Sequence, residues 1–350
     1  MDLDWEYPAA RGSPPQDRRR FSYLCRELAA FYHPRGMLVT AAVKATANAV
    51  NENYEVSEIS KSLDFINLMT YDFHGSWERK TGHHTNTNKN AKPNNLHTTI
   101  KVWLDNGASP DKLVLGLGNY GKTFSLLNKC NANLNSPSKN GGEAGKYTKE
   151  VGFLAYYEIC NLKWDQHVCT QNSEAMAPYG NVGKTFVGYD DQESIVYKVN
   201  NVMKHHKLKG YMFWALDLDD FTGSACNQGK YPLMNAAKKA AMGQSLSIKS
   251  CKNIKSSCGT SPSSKTTTTT TAVPKTIATT IPTKPRTTTS TTTAVPETTT
   301  MVTSTIQKTT TTGPKTDCKP LNDTFVWRSY CKAYCKFCDR HRGIRKYCTC

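Results

Sequence analysis

The stretch MDLDWEYP (residues 1–8) places a carboxylate at every second position of an otherwise apolar segment. A β-strand has a period of two, so Asp2, Asp4 and Glu6 would share one face while the apolar residues between them pack against the other. Three carboxyl groups in one small space cannot all ionise at low cost, so one pKa rises, and a glutamate can then stay protonated as a general acid. A charged edge strand without a catalytic role would show the same spacing.

Outward from this stretch, residues 1–243 alternate between short apolar runs and helical patterns. The predicted strands cover 3–7, 37–43, 65–70, 113–118 and 210–216. The predicted helices cover 17–31, 96–106, 192–206 and 233–242. Strands separated by helices predict an α/β fold with a parallel sheet and right-handed crossovers. The long gap before the last strand contains LAYYEIC and FVGYDD and predicts an inserted small domain.

Charge is unevenly distributed along the 350 residues, whose formal net charge is +17. Residues 1–259 hold 31 Lys and Arg against 24 Asp and Glu, so most of the excess lies in the last 91 residues. Nothing resembles a nucleic-acid-binding motif, so an acidic surface or an anionic polymer is the expected partner of the basic part. No apolar run of 18 residues occurs, so no membrane span is expected.

The C-terminal part divides into three segments of different composition. Residues 244–259 form a short connector that contains cysteine, and 260–316 hold 27 Thr and six Pro among 57 residues. Such a segment cannot bury a core, so it is expected to be a disordered linker, either O-glycosylated or bare. Residues 317–350 contain six of the 13 cysteines and predict a small disulfide-rich module of a secreted protein. No signal peptide precedes residue 1, so we expect an N-terminal part to be missing.

Unusual polar and aromatic residues follow four of the predicted strands. They are Glu6, the pair Tyr71 and Asp72, Tyr120, and Trp214. Each alone could be a core aromatic or a solvated acid. At the carboxyl ends of parallel strands they would lie together, and carboxylates combined with aromatic faces are typical of sites that cleave sugars.

The motifs DLDWEYP, MTYDFHGSW, YGKTF, LAYYEIC, YDDQES and GYMFWALDLDDF together resemble glycoside hydrolase family 18, in particular its animal chitinases. The resemblance covers about residues 1–243. It implies a (β/α)8 TIM barrel with an α+β insertion at about 123–190, and chitin or chito-oligosaccharides as substrates. It also implies that three barrel strands precede residue 1, so the barrel is expected to be incomplete here.

The family signature D-G-x-D-x-D-W-E aligns with the opening stretch and implies roles for its carboxylates. Glu6 would be the general acid, Asp4 would pair with Glu6 and then hold the acetamido nitrogen of the substrate, and Asp2 would support Asp4. Tyr71 would hydrogen-bond the acetamido carbonyl. That carbonyl is the nucleophile in this family, so the chemistry would be substrate-assisted and would retain the anomeric configuration.

Nine further residues would contact substrate if the resemblance holds. They are a pocket floor (Met69, Met212, Trp214), residues flanking the scissile bond (Tyr7, Tyr120), a stacking residue on the leaving-group side (Trp77), a sugar contact in the acid network (Asp72), a rim residue on the insertion (Glu150), and Lys122, where close relatives usually carry Arg or His. No cofactor is implied.

Three disulfide assignments and one free thiol are predicted outside the C-terminal module. The resemblance implies a bond between Cys160 and Cys226. Proximity in sequence or region suggests the pairs Cys130–Cys169 and Cys251–Cys258. Cys25 lies on the apolar face of a predicted helix and is expected to be a buried free thiol.

Histidines and phosphate motifs offer no further site. The adjacent pairs His83–His84 and His205–His206 have poor spacing for a shared metal and are interpreted as solvated surface, so no metal site is predicted. No phosphate-binding loop or dinucleotide fingerprint occurs.

Two functions remain open at this point. Family members that only bind chitin have lost the acidic glutamate, so Glu6 favours a secreted, monomeric chitinase. The alternative is a chitin-binding or cationic antimicrobial protein with an inactive barrel. In that case the basic and aromatic residues of 317–350 would contact chitin or microbial surfaces.

Overall fold

The structure is a computed structural model that describes residues 1–91, 94–248, 251–256 and 258. The predicted linker (260–316) and cysteine-rich module (317–350) lie outside the described residues. Among the described helices, none combines the length and the apolar character needed to cross a bilayer.

A parallel sheet of five strands forms the centre of the described domain. Its strands are β1 (Asp2–Asp4), β2 (Thr40–Lys44), β3 (Phe65–Met69), β4 (Leu113–Gly118) and, after an insertion, β10 (Gly210–Trp214). Their order in the sheet is β1-β2-β3-β4-β10, and each neighbouring pair is parallel. The five predicted strands are confirmed, but β1 ends at Asp4, before residues 5–7, and β2 begins only at Thr40. Within the described residues β1 and β10 are the two edges, so this sheet is a twisted segment and not a closed barrel.

A second sheet of five antiparallel strands makes up the insertion. It contains β5 (Tyr120–Ser125), β6 (Phe153–Ala155), β7 (Gln166–Val168), β8 (Tyr179–Val182) and β9 (Thr185–Tyr189), in the order β6-β5-β9-β8-β7. It begins directly after β4, so the residues that end β4 lead straight into the inserted domain. None of these five strands was among the strands predicted from the sequence, and β6, β7 and β8, with three or four residues each, are too short to show alternation.

Helices cover the outer face of the parallel sheet. They are α1 (Asp17–Tyr32), α2 (Val50–Asn53), α3 (Val56–Ser62), α4 (Leu96–Asp105), α6 (Gln192–Lys198) and α7 (Pro232–Ala241). The short helix α5 (Tyr156–Ile159) instead lies against β5 and β6 of the insertion. The helix predicted over 192–206 is α-helical only to Lys198, and residues Val199–Met203 continue it as a π-helical turn. The predicted helices are otherwise confirmed within two residues at each end.

The register of the parallel strands sorts side chains onto two faces. Leu3 pairs with Ala41, and Ala41 pairs with Ile66, so these apolar residues share the face that packs under the helices. One position further along, Asp4 pairs with Ala42 and belongs to the opposite face. The period of two thus separates the core from the face that carries the carboxylates.

The disulfides confirm one prediction and correct two. Cys160 and Cys226 are bonded, and Cys25 is a buried free thiol whose pKa burial raises to about 12. The pairs predicted from proximity are wrong, because the bonds are Cys130–Cys258 and Cys169–Cys251. After α7 the chain returns to the insertion, where Ile254 forms a β-bridge with His167, and this return brings each late cysteine beside an early one.

The prediction that His83 and His84 are solvated is also wrong. Both side chains are fully buried, because the loop after β3 runs between the parallel sheet and the insertion. The Nε2 atom of His83 lies 2.9 Å from the carbonyl oxygen of Tyr189 at the end of β9. His205 is exposed as predicted, and His206 is half-buried.

Candidate active site

Asp2 and Asp4 begin and end β1, and Glu6 follows the carboxyl end of the strand. The hydroxyl of Thr40 donates to Asp2, and the side-chain amide of Asn67 donates to the same oxygen over 3.3 Å. Partial burial raises the pKa of Asp4, and the negative charges of Glu6 and Asp2 raise it further. The rise in pKa that the spacing predicts is therefore found at Asp4, the middle carboxyl.

Glu6 lies at the solvent-exposed end of this row. Its Oε2 atom is 2.9 Å from Nη1 of Arg11, in the loop between β1 and α1. The Arg11 guanidinium also lies over the ring of Tyr7, 4.9 Å from its centre, and the Lys44 ammonium lies 5.0 Å from the same ring. Burial and the charge of Glu6 raise the pKa of Tyr7, so its hydroxyl stays protonated.

Tyr71 and Asp72 follow β3 directly. Asp72 adopts a left-handed backbone conformation with φ of 57°, which is uncommon for a residue with a side chain. Tyr71 is buried, and its ring meets the ring of Tyr120 edge to face at 6.0 Å. Burial raises the pKa of Tyr71, and the charges of Asp72 and Asp4 raise it further, so Tyr71 is a hydrogen-bond donor across the physiological range.

Asp72 contacts three side chains, and two of them, Tyr120 and Lys122, lie on β5 of the insertion. The Tyr120 hydroxyl donates to Oδ1 over 2.6 Å, and Lys122 Nζ lies 3.1 Å from Oδ2. The Nδ1 atom of His84 is 3.7 Å from Oδ1, which is a polar contact longer than a hydrogen bond. Burial opposes the charge on Asp72. Contact with His84 and the Lys122 ammonium outweigh that effect and lower the pKa of Asp72 to about 2.

Aromatic rings surround the Lys122 ammonium. Its Nζ atom lies 5.9 Å from the ring centre of Trp77, 5.5 Å from that of Tyr120 and 5.4 Å from that of Phe153. Trp77 is 63% exposed, so one face of its indole is open to a ligand. This arrangement offers a cation and a flat apolar surface side by side.

The end of β10 supplies a second exposed indole. Trp214 is 53% exposed and pairs with Gly118, while Met212 pairs with Gly116. A Cβ atom at Gly116 would lie 2.3 Å from the Leu68 carbonyl oxygen and 3.1 Å from Cε of Met212. Only glycine at this position lets the neighbouring strands approach so closely beneath the site.

Of the predicted substrate contacts, Met69 lies within the cluster of site residues and Glu150 lies outside it. Met69 ends β3 in register with Lys44, on the same face as Asn67, and so belongs to the cluster. Glu150 is exposed in the loop before β6, and no described contact joins it to the other site residues. The structure thus brings together the predicted residues of the strand ends and leaves Glu150 apart.

Residues 1–219 match the family model for glycosyl hydrolases family 18. The chain belongs to this family. It is 40% identical to mouse (Mus musculus) chitotriosidase-1 over 252 residues, which are 68% of this chain and 53% of that protein. It is 39% identical to the pig (Sus scrofa) oviduct-specific glycoprotein over 249 residues, 67% of this chain and 46% of that protein. The family 18 chain thus spans about half the length of these curated relatives.

Solved structures of family members share the fold. Catalytic domain 2 of the Ostrinia furnacalis group II chitinase is 36% identical with a TM-score of 0.65, covering 71% of this chain and 67% of that one. Human YKL-39, described as a pseudo-chitinase with retained chitooligosaccharide binding, is 35% identical with a TM-score of 0.64, covering 69% and 68%. The fold is therefore the TIM-barrel-like α/β fold of family 18 chitinases, and the family contains both hydrolases and binding proteins.

Five residues of this family 18 site were missed by sequence reasoning: Arg11, Thr40, Asn67, His84 and Phe153. The strand alternation contained a signal for two of them, since Thr40 and Asn67 occupy the same face as the carboxylates. Arg11 lies in the loop after β1, His84 follows the buried His83, and Phe153 lies on the short strand β6. Only tertiary packing brings these three residues to the site.

One group of potential metal ligands in the described residues has another explanation. His167, Cys169 and Cys251 place their ligand atoms within 4.8 Å of one another. The two sulfur atoms form a disulfide, and a disulfide sulfur is not the thiolate that a metal requires.

Proposed function

We propose that this family 18 chain hydrolyses the β-1,4 bonds between N-acetylglucosamine units of chitin and chito-oligosaccharides, with Glu6 as general acid and base. The observation that supports the proposal is the row of Asp2, Asp4 and Glu6 along β1 and just beyond it, with Asp4 and Glu6 near enough to act on Tyr71. Chitin as the substrate class is supported by the family that this chain shares with named chitinases.

In the first step Glu6 protonates the glycosidic oxygen, and the acetamido carbonyl of the substrate attacks the anomeric carbon. The bond to the leaving sugar breaks, and a cyclic oxazolinium forms. Asp4 accepts a hydrogen bond from the acetamido N–H, which gains positive character. Tyr71 donates a hydrogen bond from its hydroxyl to the acetamido oxygen and so orients the nucleophile.

In the second step Glu6, now a carboxylate, removes a proton from water, and the water oxygen opens the oxazolinium. Two inversions at the same carbon retain the configuration. The ion pair between Glu6 and Arg11 has to open before Glu6 carries a proton.

The test compares the chain with Glu6→Gln on a fluorogenic chitotrioside. We expect turnover to fall by about 100-fold to 10,000-fold, the usual contribution of a general acid, while the Kd for chitotriose stays within a few-fold. Glu58→Gln is the matched control, because Glu58 is an exposed glutamate on α3 that pairs with Lys61, away from the carboxylates of β1. Turnover by Glu6→Gln within a few-fold of the parent would contradict the proposal.

A second substrate separates substrate assistance from attack by an enzyme carboxylate. The same glycoside with free amines in place of N-acetyl groups lacks the nucleophile. We expect no measurable turnover of that compound, and its hydrolysis at a comparable rate would exclude the acetamido route.

Carbohydrate binding without hydrolysis is the second candidate, favoured by the exposed indoles of Trp77 and Trp214. If the chain binds chitotriose, loses that binding in Trp214→Ala and shows no turnover, this candidate replaces the first. In either case we propose an extracellular location, because three disulfides in the described residues suit an oxidising compartment.

A further inference from the structure

Two cationic side chains lie beside the ring of Tyr7, next to the carboxylate row. Arg11 lies in the loop after β1, and Lys44 ends β2 on the face that also carries Asp4. The guanidinium carbon of Arg11 is 4.9 Å and the ammonium of Lys44 is 5.0 Å from the centre of the Tyr7 ring. Two charged hydrogen-bond donors and an aromatic surface therefore stand together beside Glu6.

The loop after β1 holds Arg11 in this position. Arg11 has a left-handed backbone conformation with φ of 52°, which is uncommon for a residue with a side chain. The N–H of Ala9 donates to the hydroxyl of Ser13 over 2.9 Å, and that hydroxyl donates to Asp17 at the start of α1 over 2.6 Å. An uncommon conformation that the surrounding hydrogen bonds maintain points to a function of the side chain it presents.

The chain itself balances these two positive charges poorly. Arg11 pairs with Glu6 at 2.9 Å, and its side chain is 65% exposed. Among the described residues, none forms an ion pair or a hydrogen bond with the Lys44 ammonium. Burial and the charge of Arg11 lower the pKa of Lys44, and the charge of Glu52 offsets this only in part. The two cations thus repel each other, and their one close anionic partner is Glu6.

We propose that Arg11 and Lys44 select glycans whose leaving sugar carries a carboxylate. This inference rests on the proposed function, in which Glu6 protonates the oxygen of that leaving sugar. Glu6 must carry a proton to act, and a protonated Glu6 no longer neutralises Arg11. A carboxylate on the leaving sugar supplies the missing negative charge, because guanidinium and ammonium groups form charge-assisted hydrogen bonds with carboxylates.

The carboxylate of the sugar takes no part in bond breaking. The proton of Glu6 goes to the glycosidic oxygen, and the bond from this oxygen to the anomeric carbon breaks, as in a neutral chito-oligosaccharide. Glu6 is then a carboxylate again and competes for Arg11, which favours release of the acidic sugar. A protonated amine on the leaving sugar would instead be repelled by both cations.

The experiment gives the full chain two chitotetraoses that differ only in the reducing-end sugar, which is neutral or oxidised at C6 to a carboxylate. Release of this end sugar is followed by mass spectrometry, and kcat/KM is compared. We expect the parent to prefer the carboxylate by about threefold to tenfold at low salt, since two exposed ion pairs contribute an effect of this size. Screening at about 0.5 M NaCl should reduce the preference.

A double variant removes both cations. Arg11→Gln combined with Lys44→Gln should lower the preference to less than about twofold. The matched control combines Arg19→Gln with Lys101→Gln, because these two cations are exposed on α1 and α4. It changes the net charge equally and should keep the preference of the parent. Equal kcat/KM values for the two tetraoses in the parent, or a preference that persists in the double variant, would overturn the inference.

Failure of the proposed function gives a different result. If the parent cleaves neither tetraose, the proposed hydrolysis fails, and calorimetric Kd values then test the charge preference without turnover. A lower Kd for the carboxylate-bearing tetraose in the parent, lost in the double variant and kept in the control, would support recognition of the carboxylate. Equal Kd values for the two tetraoses in the parent would overturn it.

Discussion

Two lysine–aspartate pairs at the junction of the two sheets have the same chemistry and opposite environments. Lys122 and Asp72 face the candidate site, with side chains 13% and 42% exposed. Lys198 and Asp190 lie in the interior, with side chains 1% and 0% exposed. Both pairs lie beside the insertion, so the main difference between them is how far their side chains are buried.

The two aspartates also differ in their hydrogen-bond partners. Asp190 accepts hydrogen bonds from Lys198 and from the hydroxyls of Thr85 and Ser194. Burial opposes its charge, but Lys198 and His83 keep the pKa of Asp190 below its ordinary value. Asp72 keeps open solvent on one side. The comparison suggests that the buried pair fixes the packing of α6 against the loop after β3, while the open pair adjusts the charge that a ligand meets.

The largest expected effect comes from breaking the buried pair. Lys198→Met leaves Asp190 as an uncompensated buried charge and should lower the free energy of unfolding by about 3–5 kcal/mol. Urea denaturation followed by fluorescence measures it. The double variant Lys198→Met with Asp190→Leu should recover most of the loss. A double variant as unstable as the single one would show that the charge is not the cause.

Removing the Lys122 ammonium should leave the free energy of unfolding almost unchanged but shift the pKa of Asp72. Lys122→Met should cost less than about 1 kcal/mol, as for other pairs near the surface. The pKa of Asp72, about 2 in the parent, should rise toward its ordinary value because the ammonium no longer favours the charge. An NMR titration of labelled aspartate carboxyls measures the shift. Lys101→Met, which breaks the exposed pair with Asp105, is the control and should not move Asp72. An unchanged Asp72 pKa would mean that the Tyr120 and His84 contacts dominate.

The smallest effect concerns acid stability. A carboxyl whose pKa is lower in the folded than in the unfolded state stabilises the fold above its unfolded pKa of about 4 and loses that contribution as pH falls toward 2. Because Asp72 is 42% exposed, solvent screening should limit its contribution to under about 1 kcal/mol. The unfolding free energy of the parent relative to Asp72→Asn, measured between pH 6 and pH 3, should decline on acidification. If this difference in unfolding free energy grew on acidification instead, the pKa of Asp72 would have to be higher in the folded than in the unfolded state.

The strands and the carboxylate row were predictable because both depend on a period of two. The alternation of MDLDWEYP predicts which side chains share a face before any partner strand is known, and β1 confirms that face for Asp2 and Asp4. The same rule applied to Thr40 and Asn67 would have predicted the residues that hold Asp2.

Contacts that join distant segments were not predictable in this way. His83 and His84 are polar and adjacent, which locally indicates surface, but the insertion covers them. Phe153 reaches Lys122 only because β6 pairs with β5 across about thirty intervening residues. The cysteine pairs failed for the same reason, since the Cys130–Cys258 bond spans 128 positions.

The bonds Cys130–Cys258 and Cys169–Cys251 have a consequence for handling the protein. A protease that nicks the backbone between residues 243 and 248 would not release the segment that follows, because that segment stays covalently attached through Cys251 and Cys258. The nicked chain would migrate as one species on a non-reducing gel and as two after reduction. A version truncated at residue 243 would carry two unpaired thiols on its insertion, and oxidation between copies could then join molecules that are separate when intact.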